Sequence, residues 1–111
     1  MEKIQPVELK AWLDDAQRPP PCLLDVREPW EFERCHIAGA ELMSMSSIPA
    51  NLQQLDAKLG KDRETVVICH HGVRSFHVAR FLEHNGFTKV INLTGGVDAW
   101  AKDVDPTMPL Y

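Results

Sequence analysis

The feature that most constrains this chain is an alternation. Short apolar runs of strand length, "CLLDV" (22–26), "TVVIC" (65–69) and "KVINL" (89–93), are separated by stretches with helical spacing. The first two are apolar almost throughout, as strands covered on both faces should be. "AELM" (40–43) and "KIQ" (3–5) fit edge strands. Between them, "PVELKAWLDDA" places Pro6 in a first helical turn and Leu9, Trp12, Leu13 and Ala16 on one face. "IPANLQQLDAKLG" carries a stripe of Leu52, Leu55 and Leu59, with Gly60 as a stop. "SFHVARFLEHNG" aligns Val78, Ala79 and Leu82, and Asn85-Gly86 supplies a left-handed end. The Gly95-Gly96 pair reads as a turn opening a "VDAW" helix with Trp100 in the core. Strands alternating with helices predict an α/β fold: three layers, α/β/α, around a mostly parallel sheet of about five strands.

The 111 residues suffice for one core, and the only breaker cluster, "RPPPC", is too short for a linker, so residues 1–111 are expected to form a single domain. A net charge of -4 argues against a nucleic-acid partner. No apolar run reaches the roughly 18 to 20 residues that a membrane span requires. Three cysteines, Cys22, Cys35 and Cys69, with no CxxC pair and no secretory leader pattern, argue against a disulfide framework and lead to a cytoplasmic expectation.

In a parallel sheet, ligands sit outside the carboxyl ends of the strands. Cys69 falls at such an end, inside "CHHGVRS" (69–75). Gly72 permits a sharp turn, so that successive N–H groups converge into an anion-binding nest. A helix beginning near Arg74 or Ser75 adds the positive end of its dipole, and Arg74 adds a full charge. All three favour a thiolate over a thiol and would hold an anionic substrate above it. A buried, inert core thiol is the plainer alternative, and the cationic turn weighs against it. Four residues separate Cys69 from Arg74. Cysteine phosphatases use a similar loop one residue longer, and the shorter ring of amides suits a single extra sulfur better than a phosphoryl group.

Taken together, three segments resemble the rhodanese family of sulfurtransferases over nearly the whole chain. "CHHGVRS" is similar to the active-site loop, "LLDVREPWEFERCHIAGA" to the upstream segment, and "LTGGVDAW" to the terminal Gly-Gly-x-x-x-Trp stretch. The resemblance implies a thiosulfate:cyanide-type sulfurtransferase in which Cys69 carries a persulfide held by His70, His71, Gly72, Val73, Arg74 and Ser75. It implies a small sulfur-donor anion and a thiol or cyanide acceptor, possible delivery to a thiol-bearing protein, and no metal or organic cofactor. His70 stands where thiosulfate-using members often have arginine, so weaker thiosulfate binding is expected. Cys35 stands where glycine is common. A phosphatase or arsenate reductase, and a non-catalytic binding module of the same fold, are the alternatives.

Asp25 and Arg27 end the "LLDVR" strand near the same sheet edge. An ion pair that organises loops is expected of them ahead of substrate contact, because an unpaired carboxylate would repel an anion; Glu28 is expected to be structural or solvated. His70, His71 and His77 invite a metal reading. Adjacent histidines would have to point the same way, and no HxxxH spacing occurs, so no metal site is expected. His36 is expected to make structural hydrogen bonds and His84 to be solvated near a helix end. Cys22 should be buried and inert, and Cys35 could take up sulfur only if exposed near Cys69.

Overall fold

In the computed structural model, which describes residues 1–111 throughout, five strands form one sheet. They are β1 (Glu2–Ile4), β2 (Cys22–Asp25), β3 (Glu41–Leu42), β4 (Thr65–Ile68) and β5 (Val90–Leu93). The spatial order is β1-β5-β4-β2-β3, and every pairing is parallel. The two weak sequence candidates, β1 and β3, are the sheet edges, and the apolar runs are its centre. Each central strand sends alternate side chains to opposite faces. Cys22, Leu24, Val67 and Val90 join one core, with Leu55, Leu59, Val78, Ala79 and Leu82. Leu23, Val66, Ile68, Ile91 and Leu93 join the other, with Leu9, Trp12, Val97 and Trp100.

Helices α1 (Pro6–Asp14) and α5 (Gly96–Asp103) supply the second core, while α3 (Leu52–Leu59) and α4 (Val73–His84) supply the first, completing the three layers. Helix α1 stops before Ala16, which is exposed rather than on the apolar face. Asp14 and Asp15 crowd the negative end of the helix, and Asp15 turns the chain out by accepting the Gln17 N–H. The segment Pro49–Asn51 is a tighter 3-10 helix, so α3 begins only at Leu52.

The sequence pattern does not predict α2 (Pro29–Arg34). Its polarity is inverted: Glu31 is its buried residue, while Trp30 is 61% exposed. Pro29 suits the first turn, and Glu31 Oε1 accepts the Glu28 N–H at 3.0 Å, tying the first turn to the residue before it. Cys35 ends α2 with φ -167, an extended backbone that needs no glycine. No helix is long and apolar enough to cross a membrane.

Candidate active site

Cys69 leaves the carboxyl end of β4, between β2 and β5, and is 1% exposed. The chain then turns through His70 and His71 to Gly72, whose φ of +96 is the left-handed conformation the sequence predicts. A Cβ at Gly72 would also meet the Gly95 backbone nitrogen at 3.1 Å. Helix α4 opens at Val73, immediately past this turn. The Gly72 N–H donates to Cys69 Sγ at 3.0 Å, and Sγ lies 3.3 Å from Ser75 Oγ, to which the thiol donates. The Ser75 hydroxyl in turn donates to Asn92 Oδ1, and Asn92 Nδ2 donates to the Gly72 carbonyl at 3.1 Å. A closed ring of hydrogen bonds thus links thiol, turn and β5. Asn92 carried one sequence signal, a lone amide inside an otherwise apolar strand, and was not singled out from it.

The Gly95-Gly96 turn presses on the loop from the other side. A Cβ at Gly96 would run into the carbonyl oxygens of Cys69 and His70. Those carbonyls accept the N–H groups of Val97 at 2.9 Å and Asp98 at 3.0 Å. The start of α5 therefore fixes the backbone of the first two loop residues, which is why small residues are required there.

Arg74 differs from the sequence expectation. Its guanidinium makes a bidentate pair with Glu31, with Nη1–Oε1 at 2.7 Å and Nη2–Oε2 at 2.9 Å. The partner lies 43 residues upstream on the helix that the sequence pattern does not predict, so the positive charge counted for the anion cradle carries a buried counter-charge. The Arg74 hydrogen bonds hold the Glu31 carboxyl down at about 2 against the opposing effect of burial, with a further lowering contribution from the Glu28 backbone. Glu31 in turn raises Arg74 above its ordinary value.

Asp25 and Arg27 are fully buried. Arg27 Nε and Nη2 donate to the Asp25 carboxylate at 2.9 and 2.7 Å, and Nη2 also donates to the Cys35 carbonyl at 2.7 Å. Nη1 reaches the Glu31 carbonyl at 3.3 Å. Burial opposes the Arg27 charge, but hydrogen bonds to Asp25 and Tyr111 overcome it and raise the group above its ordinary value. The pair clamps α2 onto the end of β2, as an organiser of loops.

The two loop histidines share one place. Their ring centroids are 3.9 Å apart at 31°, which corrects the expectation that adjacent side chains diverge. One ligand atom each from His70, His71 and Asp98 lies within 4.8 Å of the others. The Asp98 carboxylate is engaged by Lys102 at 3.0 Å, which lowers it below the usual range. His77 is exposed on α4 and is not part of this group. His36 Nδ1 lies 2.8 Å from the Phe32 carbonyl, and His84 is exposed at the end of α4.

Burial lowers His70 below the usual histidine range, with His71 adding to the effect. Its other ring face is covered by Tyr111, stacked at 3.9 Å and 5°. Tyr111, which sequence reasoning missed, also accepts from Arg27 Nη1 at 2.7 Å and donates to Glu31 Oε2 at 2.8 Å. Cys35 is buried, and its thiol donates to the Pro109 carbonyl at 3.7 Å, so it is not an exposed partner for Cys69. Cys22 is buried in the core, which raises its thiol.

Comparison with known proteins bears on the family and the fold. The family model of the rhodanese-like domain matches residues 5–103. The probable adenylyltransferase/sulfurtransferase MoeZ of Mycobacterium tuberculosis is 41% identical over 108 residues, which is 97% of this chain but 26% of that protein. The chain thus spans about a quarter of the length of that relative. The thiosulfate sulfurtransferase GlpE of Tolumonas auensis is 34% identical over 84 residues, 76% of each chain. The crystal structure of a rhodanese-like domain protein from Staphylococcus aureus superposes with a TM-score of 0.81 at 32% identity, covering 100% of this chain and 99% of the other.

Proposed function

Since this chain belongs to the rhodanese-like domain family, we propose that it transfers a sulfane sulfur through a persulfide on Cys69. The observation that carries the reading is the Gly72 amide directed at Cys69 Sγ at 3.0 Å, in a turn that opens directly into α4. An N–H donor and a helix N-terminus at a sulfur atom would hold an anionic sulfane sulfur bound there.

The reaction divides into two displacements at sulfur. The Cys69 thiolate attacks the outer sulfur of a sulfane donor. A bond forms between the two sulfurs, the donor's own bond to that sulfur breaks, and the remainder of the donor leaves with the electron pair, as sulfite when the donor is thiosulfate. The terminal sulfur of the persulfide then carries the negative charge, and loop N–H groups stabilise it. A thiol or cyanide attacks that terminal sulfur, the persulfide bond breaks, and the electron pair returns to Cys69. Ser75 and Asn92 keep the Gly72 turn in register through both steps.

Charge at the mouth bears on the donor. The Arg74 charge is balanced by Glu31, and burial keeps His70 neutral near pH 7. Such a mouth attracts a dianion less than one with two free cations would, which favours a persulfide-type donor of lower charge over thiosulfate. A compact thiol or cyanide is the acceptor class that suits a cysteine only 1% exposed.

Intact mass after incubation with thiosulfate, or with a glutathione persulfide, tests the reading. The expected result is a gain of one sulfur atom that cyanide removes and that Cys69→Ser abolishes. No gain from either donor, or a gain that survives in Cys69→Ser, overturns it. An aryl-phosphate assay run alongside should give no turnover.

A further inference from the structure

Tyr111 meets His70, Arg27, Glu31 and Trp30 beside the loop. The segment after α5 packs Met108 against the second core and passes Cys35, whose thiol donates to the Pro109 carbonyl. It delivers Tyr111 with its hydroxyl between Arg27 and Glu31, at 2.7 and 2.8 Å. Both anchors are themselves buried. Burial of this hydroxyl pushes it up to about 12, so it remains a protonated donor to Glu31 at neutral pH. The ring is steered from two further directions: it lies flat on His70 and meets Trp30 edge-on, at 5.7 Å and 77°.

The consequence is a stack of rings on the first two residues after Cys69. His70 lies between His71 and Tyr111, with both centroids 3.9 Å away, and its Nε2 is buried without a hydrogen-bond partner. A buried, unpartnered ring nitrogen costs free energy, and the structure retains it because Tyr111 covers the ring. Cys69, the residue immediately before His70, is 1% exposed, and the stack is built on the two residues that follow it.

We propose that Tyr111 is a specificity-determining residue of the Cys69 site: its ring sets the clearance over His70, admitting compact reactants to the sulfur and holding out bulky ones. For the acceptor this rests on the sulfurtransferase reading above; the clearance itself does not. Cyanide passes beneath the ring, whereas a tripeptide thiol such as glutathione requires the ring to lift. The hydroxyl anchors set how readily it lifts, and the ring supplies the obstruction.

Alkylation of Cys69 by iodoacetamide and by a fluorescein maleimide, quantified by peptide mass, tests the clearance without reference to sulfur transfer. Tyr111→Ala should accelerate the bulky reagent about tenfold or more and the small one less than about threefold, the pattern of a removed gate. Tyr111→Phe retains the ring but loses both anchors, so its ratio should fall between those of the parent and Tyr111→Ala. Equal acceleration of both reagents in Tyr111→Ala, or no change in either, overturns the proposal. In sulfur-loaded protein, the same variant should raise transfer to glutathione relative to cyanide; a parallel fall with both acceptors is the mark of a merely damaged fold and counts against it. If the parent accepts sulfur from no donor, the proposed function fails, and the alkylation ratio still decides the role of Tyr111.

Discussion

Two arginine–carboxylate pairs lie side by side in this protein, and they behave differently. Arg27 and Asp25 are two residues apart, and both are fully enclosed. Arg74 and Glu31 are 43 residues apart, and the Arg74 side chain is 32% exposed. The first pair has carbonyls and a tyrosine hydroxyl on its remaining donors, and it clamps α2 to β2. The second joins α2 to the loop that follows Cys69. Tyr111 bonds one member of each. The same chemistry therefore serves as scaffold where water is excluded and as part of the candidate site where one partner reaches solvent.

The comparison is broken most severely at Arg27. Arg27→Met leaves Asp25 charged and unpaired in the interior, so a loss of roughly 3 to 5 kcal/mol is expected from denaturant midpoints. A loss below about 1 kcal/mol would mean that Asp25 is not held by this pair. A smaller effect, and one that depends on pH, is expected at Glu31. Its folded value of about 2 lies below the ordinary 4.5, so its stabilising contribution is present above pH 4.5 and is lost as pH falls toward 2. The stability difference between parent and Glu31→Gln should narrow by roughly 3 kcal/mol across that window. A difference that is flat with pH would show that the carboxylate is not specially held.

Arg74→Lys should cost least, about 1 kcal/mol, because a lysine keeps the charge but loses the bidentate fork. Its larger effect should be on the rate at which Cys69 takes up sulfur, measured by intact mass against time. If Arg74→Lys destabilised the protein as much as Arg27→Met, the two pairs would be equivalent and the comparison would collapse.

Much of this architecture was legible in the residues. Near-continuous apolar runs identified β2 and β4, because a strand buried on both faces cannot alternate, and "KVINL" is a third candidate, which forms β5. Cys69 at a strand end, followed by Gly72, identified the turn, because only glycine adopts that backbone at no steric cost. Helix α2 was not legible, and the reason is physical. An amphipathic pattern assumes that apolar side chains face inward, yet here Glu31 is buried and Trp30 is outside. A buried carboxylate is tolerated only when partners arrive, and these partners, Arg74 and Tyr111, are distant in the chain.

The sequence by itself determined the alternation of the three central strands with their flanking helices, the α/β class and the place of Cys69 at a strand end before a glycine turn. Each of those follows from local spacing and from the backbone freedom of single residues. Only the tertiary structure decided the electrostatics of the mouth: that Arg74 is balanced by Glu31, that His70 and His71 share one place, and that Tyr111 stacks on His70. Interactions between side chains depend on distances set by the whole fold, and those distances have no signature in the spacing of residues along the chain.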